Sequence, residues 1–370
     1  MAKLGDIDDA TLIKAAEIYF DGGSADAVKE FVNACLAARN AGFTINRNEV
    51  HQLIKIAKRR RFFVVVPPRE HTHEDRIAHR YRVPASSVHV ANSDVLAHVA
   101  SSAADVVLEL IMQLQEKKHG QRLRIGLGGG WTTMLVASEL AIRLGGLTSL
   151  PRLTLHALSS GFDINRPQTA PVSFFSLFQR LGPEIDYVGL FAPAAADTGD
   201  YPKIKRSRGV RESFALRLEI DLVITSLGSA SHRSGDFSKF MERGSRAGIR
   251  ALRGENWIGD VQYRPYSPSG PILVDAGTRA VTLLELKDLH GMASDAEPDK
   301  HVVIVAGPCS MCRHPRTDAV VPLLEAPSLR LWTHLVMDNG TAAQLIPADG
   351  SDALVLPPPP PGSPCAPAGA

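Results

Sequence analysis

The sequence predicts an α/β fold in two parts: a small helical unit, then a larger domain in which strands and helices alternate. Three observations predict it. Apolar residues at helical spacing fill the chain up to Ala57. From Ser87 onward, short apolar runs alternate with helix-length segments, as a parallel or mixed sheet flanked by helices requires. One such run ends in the glycine cluster Gly126-Leu127-Gly128-Gly129-Gly130, followed by Trp131-Thr132-Thr133 and a helical pattern.

In chain order, Leu12, Ile13, Ala16 and Tyr19-Phe20 keep helical spacing, and Asp21-Gly22-Gly23-Ser24 stops that helix and caps the next. The second helix carries Ala27, Val28, Phe31, Ala34 and Cys35 on one side. A third is capped by Asn46 with Glu49 in the reciprocal position, and its apolar stripe is Val50, Leu53, Ile54 and Ala57. Its other face presents Asn46, Arg47, Asn48, His51, Gln52 and Lys55, and it runs into Lys58-Arg59-Arg60-Arg61 before a strand expected from Phe62 to Val66.

Three helices with a polar, basic last face outline a helix-turn-helix unit, residues 1–66, able to set its third helix in a DNA major groove. Asn, Gln and Arg pair with base edges, and Arg59 and Arg60 would grip phosphates. A solvated face on a small helical cap is the other reading.

Pro67-Pro68 and His71-Thr72-His73 mark a boundary and read as a polar linker rather than a metal site. The larger domain, residues 67–350, has expected strands at Ser87–Val90, Leu153–Leu158, Tyr187–Phe191, Leu222–Ser226, Ile272–Val274, His301–Ala306 and Leu331–Met337. Helices are expected at Val95–Leu114, Ser173–Leu181, Gly209–Leu218 and Phe237–Gly248. Residues 351–370, rich in proline, read as a disordered tail.

At 370 residues, 44% hydrophobic and 22% charged, the chain is large enough for a sizeable core and more than one domain. A formal net charge of +2 excludes a global basic field, so any contact with nucleic acid must be local. Met1 to Asp6 lacks the basic and apolar regions of a signal peptide, and no apolar run approaches the roughly 18 residues of a membrane span. A cytoplasmic protein without membrane contact is expected. Cys35, Cys309, Cys312 and Cys365 are too sparse for a disulfide framework, and the lone Cys309-Ser310-Met311-Cys312 reads as two thiols on a loop. No cofactor or metal is expected.

A strand-to-helix turn such as Gly126 to Thr133 can offer an anion backbone N–H groups, two hydroxyls and the positive end of a helix dipole. It is no P-loop, because no Gly-Lys-Ser/Thr follows, and it lacks the third glycine of a dinucleotide fingerprint. A phosphate cradle and a tight turn of packing glycines are the two readings. Ser159-Ser160-Gly161 and Ser226-Leu227-Gly228-Ser229 lack a nucleophile elbow and read as strand-end turns facing a pocket.

The order of these parts resembles the SorC-type sugar-binding transcriptional regulators of bacteria. Gly126 to Thr133 is similar to that family's glycine-rich turn with paired threonines. Trp257-Ile258-Gly259-Asp260-Val261, with Ser269-Gly270, resembles its "GD-(I/V)" segment and following turn. Val305-Ala306-Gly307, with Arg316 and Ala319-Val320, resembles its "A-G-G…K-x-x-A-I" stretch, and Leu335 to Asp338 with Thr341-Ala342 and Leu345 its "D-x-x-T-A-x-x-L" ending. Ile45 to Ala57 resembles the family's recognition helix, so the likeness runs to about Leu345.

The resemblance implies a Rossmann-like α/β effector domain akin to glucosamine phosphate deaminase and ribose phosphate isomerase. It implies operator DNA and a phosphorylated sugar as partners, and a homodimer or homotetramer. Gly128, Gly129, Gly130, Thr132 and Thr133 would hold the phosphate, Asp260 would accept from sugar hydroxyls, Arg316 would meet the ligand, and Asp338 would support the pocket. Three departures stand out. The link Leu36 to Thr44 is long, Pro308 replaces the second glycine, and the lysine is Arg316, which can clamp phosphate but forms no Schiff base.

The expected function is a DNA-binding regulator that is not an enzyme. A sugar-phosphate isomerase or deaminase is one alternative, with Asp260, Asp163, Glu139 and His232 as available bases. A sensor acting through a protein partner is the other.

Overall fold

The computed structural model describes residues 2–60, 62–63, 68–161, 165–231, 236–244, 246–294 and 299–346. The chain divides between residues 66 and 67 into two compact units.

The first unit holds α1 (Ala2–Gly5), α2 (Asp9–Phe20), α3 (Ala25–Ala38) and α4 (Arg47–Arg59). Each long helix has a side-chain cap: Asp8 accepts from the Thr11 N–H, Ser24 from Ala27, and Asn46 from Asn48 and Glu49, with the Glu49 carboxylate returning to the Asn46 N–H. Leu12, Ala15, Val28, Val32, Leu36, Ile45, Val50, Leu53 and Ala57 make its core. The link from α3 to α4 is tied down at its end by the Asn33 amide, which takes the Ile45 N–H at 2.7 Å and donates to the Ile45 carbonyl at 2.9 Å. Phe62 and Phe63 form no strand, and the rest of the strand expected there lies outside the described residues.

The second unit runs α5 (His71–Tyr81), β1 (Val88–Ala91), α6 (Leu96–Lys117), β2 (Leu123–Leu127), α7 (Trp131–Gly145), β3 (Leu153–Ala157), α8 (Pro171–Phe178), β4 (Ile185–Val188) and β5 (Ala195–Asp197). There follow α9 (Tyr201–Arg206), α10 (Val210–Ala215), β6 (Leu222–Ser229), α11 (Asp236–Gly244), α12 (Arg246–Gly254), β7 (Gly259–Val261), β8 (Arg264–Ser267), β9 (Gly270–Pro271) and β10 (Thr278–Ala280). It ends with α13 (Leu286–Met292), β11 (His301–Ala306), α14 (Thr317–Glu325), β12 (His334–Asp338) and α15 (Asn339–Leu345).

The main sheet has the order β1-β12-β11-β6-β2-β3-β4, with every one of these pairings parallel. Its inner strands are mainly apolar because both their faces are covered, whereas the edge strand β4 exposes Asp186 and Tyr187. Leu123, Ile125, Leu155, Ile224 and Val303 pack under α6, α7 and α8. Val88, Val223, Ile304 and Leu335 pack on the other face with α5, α13, α14 and α15. Past its parallel pairing, β6 continues into an antiparallel β7-β8-β9 extension. Helix α6 is long and apolar enough to cross a membrane, but Val99, Ala103, Val107, Leu110 and Ile111 are buried in the core, so it is a core helix.

Several expectations need correction. Ile272–Val274 is no strand: the Ile272 N–H still reaches the Pro265 carbonyl of β8 at 3.0 Å, but the pairing goes no further and Leu273 is 91% exposed. The fourth strand sits at Ile185–Val188 rather than Tyr187–Phe191, leaving Phe191 exposed. His71–Arg76 is the first part of α5 instead of a linker: its Glu74 is buried and accepts from Arg69, His71 and the Val90 N–H. The helix expected over Phe237–Gly248 is two, α11 and α12. The tail from residue 351 lies outside the described residues.

Candidate functional site

From β2 the chain steps outward through β3 to β4, then returns to the opposite side of β2 with β6 and moves away through β11 and β12. The loops after β2 and β6 therefore part at the carboxyl ends of adjacent strands, where open α/β sheets hold their ligands. The glycine cluster forms one lip of this crevice and Ser226-Leu227-Gly228-Ser229 the other.

Gly128 is tied into the sheet by its N–H to the Ile224 carbonyl at 2.9 Å, and Thr225 and Gln262 fill the space a Cβ would need. Gly130 begins α7 at φ 108°, a conformation natural to glycine, and donates to the Thr169 carbonyl. No side chain caps this helix, so its first N–H groups and positive dipole end face the crevice. Thr132 lines the cavity, and its hydroxyl has no hydrogen-bond partner among the described residues. Thr133 turns back to the Gly129 carbonyl.

The cavity encloses about 80 Å³, and two guanidinium groups stand in its wall. Arg316 donates from Nη1 to the Leu227 carbonyl, while its Nε is buried without a partner. Arg166 comes from the loop before α8, and one of its nitrogens lies 3.9 Å from the Met311 sulfur. The carboxylate of Asp260 on β7 packs against Gly228 and leaves it no room for a Cβ. Gln262 and Tyr263 form the β7–β8 turn with φ of 52° and 57°. Two non-glycine residues held in the left-handed region store strain, and they press side chains over the cradle. Gln262 Nε2 donates to Thr225 Oγ1 at 2.7 Å, and the Tyr263 hydroxyl occupies the space beside Gly129.

The structure thus gathers Gly129, Gly130, Thr132, Asp260 and Arg316 around one cavity, with Gly128 and Thr133 just behind it. Asp338 is not in the wall. It caps α15, accepting from the Thr341 N–H at 2.8 Å and the Thr341 hydroxyl at 2.6 Å, and burial raises its pKa above the ordinary value. Glu139 pairs with Arg143 on α7, away from the cavity, and Asp163 and His232 lie outside the described residues. Sequence reasoning missed Arg166, Thr225, Gln262, Tyr263 and Ser310. Cys309 is buried and Cys312 half-buried on the β11–α14 loop, beside Ser310, which lines the cavity. Among the described residues no cluster of three or more His, Cys, Asp or Glu could hold a metal.

In the helical unit, Asn46, Arg47, Asn48, His51, Gln52, Lys55, Arg59 and Arg60 are all exposed. Four of them have internal work. Asn46 caps α4, Arg47 lies 3.6 Å from Asp26, His51 meets the Tyr19 hydroxyl at 3.5 Å, and Arg60 binds Asp9 and the Gly5 and Ile7 carbonyls. The side chains of Asn48, Gln52, Lys55 and Arg59 make no hydrogen bond or ion pair among the described residues.

Neither family models nor curated protein sequences match the chain. Solved structures do. The full-length sorbitol operon regulator SorC from Klebsiella pneumoniae superposes with a TM-score of 0.61 over 92% of this chain and 99% of its own, at 16% identity. A transcriptional regulator from Streptococcus pneumoniae gives 0.55 over 74% of this chain and 95% of its own, at 14% identity. A DeoR family transcriptional regulator from Listeria monocytogenes gives 0.53 over 74% and 98%, at 16% identity. The likeness is one of fold: the chain shares the architecture of these SorC- and DeoR-type regulators.

Proposed function

We propose that the chain is a cytoplasmic transcriptional regulator whose affinity for operator DNA is set by a phosphorylated sugar bound in the larger unit. The observation that carries this is the uncapped α7 N-terminus at the sheet's switch point, faced by Arg166 and Arg316. Helix N–H groups, the Thr132 hydroxyl and two guanidinium groups suit a phosphate. Asp260 suits sugar hydroxyls, which donate to a carboxylate. Two similar structures, a domain of a possible sugar-binding transcriptional regulator from Arthrobacter aurescens and a sugar-binding domain of a transcriptional repressor from Vibrio fischeri, agree with this ligand class.

In the helical unit, α4 would be the recognition element of a helix-turn-helix, with Asn48 and Gln52 reading base edges and Lys55 and Arg59 holding phosphates. A symmetric dimer or tetramer would present two such helices, and the effector would act through its differential affinity for the assembly's states. The cavity serves sensing rather than turnover. Among the candidate bases in the described residues only Asp260 lines it, and its place beside the strand-end glycine fits hydroxyl binding.

Thermal unfolding against a panel of phosphorylated sugars, each paired with its free sugar, tests the reading, because a ligand of the native state raises the melting point by mass action. A rise with one phosphosugar and none with its free sugar is expected. No rise across the panel would overturn the effector assignment.

A further inference from the structure

A second cavity, of about 680 Å³, lies between the β8–β10 region and α13. It falls within the roughly 300–1,000 Å³ of small-molecule sites. Its wall is mainly apolar, with Leu252, Pro265, Ile272 and Leu286 in it, and Leu273 and Val274 stand exposed in it. Phe237 and Tyr263 belong to the walls of both cavities.

One side of this apolar space is a built charged cluster. Arg264, 7% exposed, donates to both oxygens of Glu285 at 2.7 and 3.1 Å, to the Ala280 carbonyl at 2.9 Å and to the Tyr201 hydroxyl at 3.2 Å. Every nitrogen of that guanidinium is used. Arg279 shares the same Glu285 oxygen at 2.7 Å and lies over the Tyr201 ring, but its side chain stays 42% exposed. One carboxylate therefore answers two arginines. Asp275 is engaged by Thr198 and the Gly277 N–H, and Lys287 adds a further cation, so the wall carries a net positive charge beside a large apolar surface.

We propose that this second cavity binds a small amphipathic acid, an acyl or aryl body with one carboxylate, whose charge is taken by Arg279 and Lys287. The apolar body is desolvated against Ile272 and Leu286, and the carboxylate meets cations that Glu285 leaves partly uncompensated. The site is separate from the sugar-phosphate reading of the cradle and does not depend on it.

Calorimetric titration of the full chain with octanoate, and with octanol as the isostere lacking the carboxylate, tests this. Octanoate should bind saturably at one site per chain and about tenfold or more tighter than octanol. Arg279→Gln should abolish that preference. Ala276→Trp, confirmed folded by an unshifted melting point, should block both ligands by filling the space. Equal affinity for octanoate and octanol, octanoate affinity unchanged in Arg279→Gln, or binding retained in a folded Ala276→Trp would each overturn the proposal. So would octanoate binding that is lost as the unsubstituted chain is diluted below its self-association, because the cavity would then be a contact with a second copy.

Discussion

Arg60 Nη1 lies 2.7 Å from the carboxylate of Asp9, and its Nη2 lies 2.7 Å from the Gly5 carbonyl, so the residue that ends α4 braces the start of its own unit. The basic run at the end of α4 thus holds residues with different tasks. Among the described residues the side chains of Lys55 and Arg59 make no hydrogen bond or ion pair, while Arg60 is engaged.

If α4 meets DNA, Lys55→Ala with Arg59→Ala should weaken binding to every duplex alike and lower the slope of log affinity against log salt by about 1 per lost phosphate contact. Arg60→Ala should instead destabilise the helical unit by about 1 kcal/mol or less, given its partial exposure. Fluorescence anisotropy across a salt series, with melting curves alongside, separates the two. A slope that does not move in the double variant removes α4 from the DNA.

Acid should destabilise the larger unit through its buried histidines. His89 and His334 stack at 5.6 Å on neighbouring strands, with His301 edge-on to His334. Burial, aided by nearby cations and by the other rings, depresses His89 to about 4 and His334 to about 3, and burial with Arg124 depresses His156 to about 4. These rings are neutral in the fold, whereas the unfolded chain takes up their protons near pH 6.5. Stability should therefore be full above about pH 6.5 and fall by several kcal/mol as pH drops towards 4. Urea unfolding at pH 7 and pH 5 measures it, and His89→Leu should shrink the difference between the two. An equal difference in that variant would show that carboxylates carry the acid sensitivity.

Core and rim should respond very differently to truncation. Trp332 is 1% exposed, and its indole N–H donates to the Leu323 carbonyl at 3.0 Å. Trp332→Ala should cost about 3–5 kcal/mol in urea unfolding. Leu273 is 91% exposed, and Leu273→Ser should stay within about 0.5 kcal/mol. A large loss at Leu273 would mean that the native state buries it, as self-association would.

These contrasts show what the sequence could and could not disclose. Leu153–Ala157 and His301–Ala306 were legible as strands because both their faces are covered, which demands a continuous apolar run. The same signal misled at Ile272–Val274, whose apolar side chains border a cavity and solvent. The β5–β10 pair and the β7–β8 turn gave no signal: the former is three residues per strand, and the latter bends at Gln262-Tyr263 without the glycine or asparagine that marks such turns. In the cradle, Thr132 and Asp260 sit in local motifs. Arg166 and Ser310 arrive on loops distant in sequence, and only the folded sheet brings them to the glycine cluster.

The two lips of the cradle should be separable by substitution. Thr132→Val removes a hydroxyl from the α7 end with little change of volume, so it should cost the response to inorganic phosphate and to phosphosugar together, with the ligand-free melting point held. Gly228→Ala acts on the other lip. A Cβ there would fall on the Asp260 carboxylate and push it from the wall, while the α7 N-terminus and Arg316 remain in place. Phosphate affinity should then persist, and the preference for phosphosugar over phosphate should drop about tenfold, the effect of losing hydrogen bonds to a charged acceptor. Titration calorimetry of both variants with both ligands decides it. If Gly228→Ala loses phosphate and phosphosugar in equal measure, Asp260 does not read the sugar, and the division of work between the two lips fails.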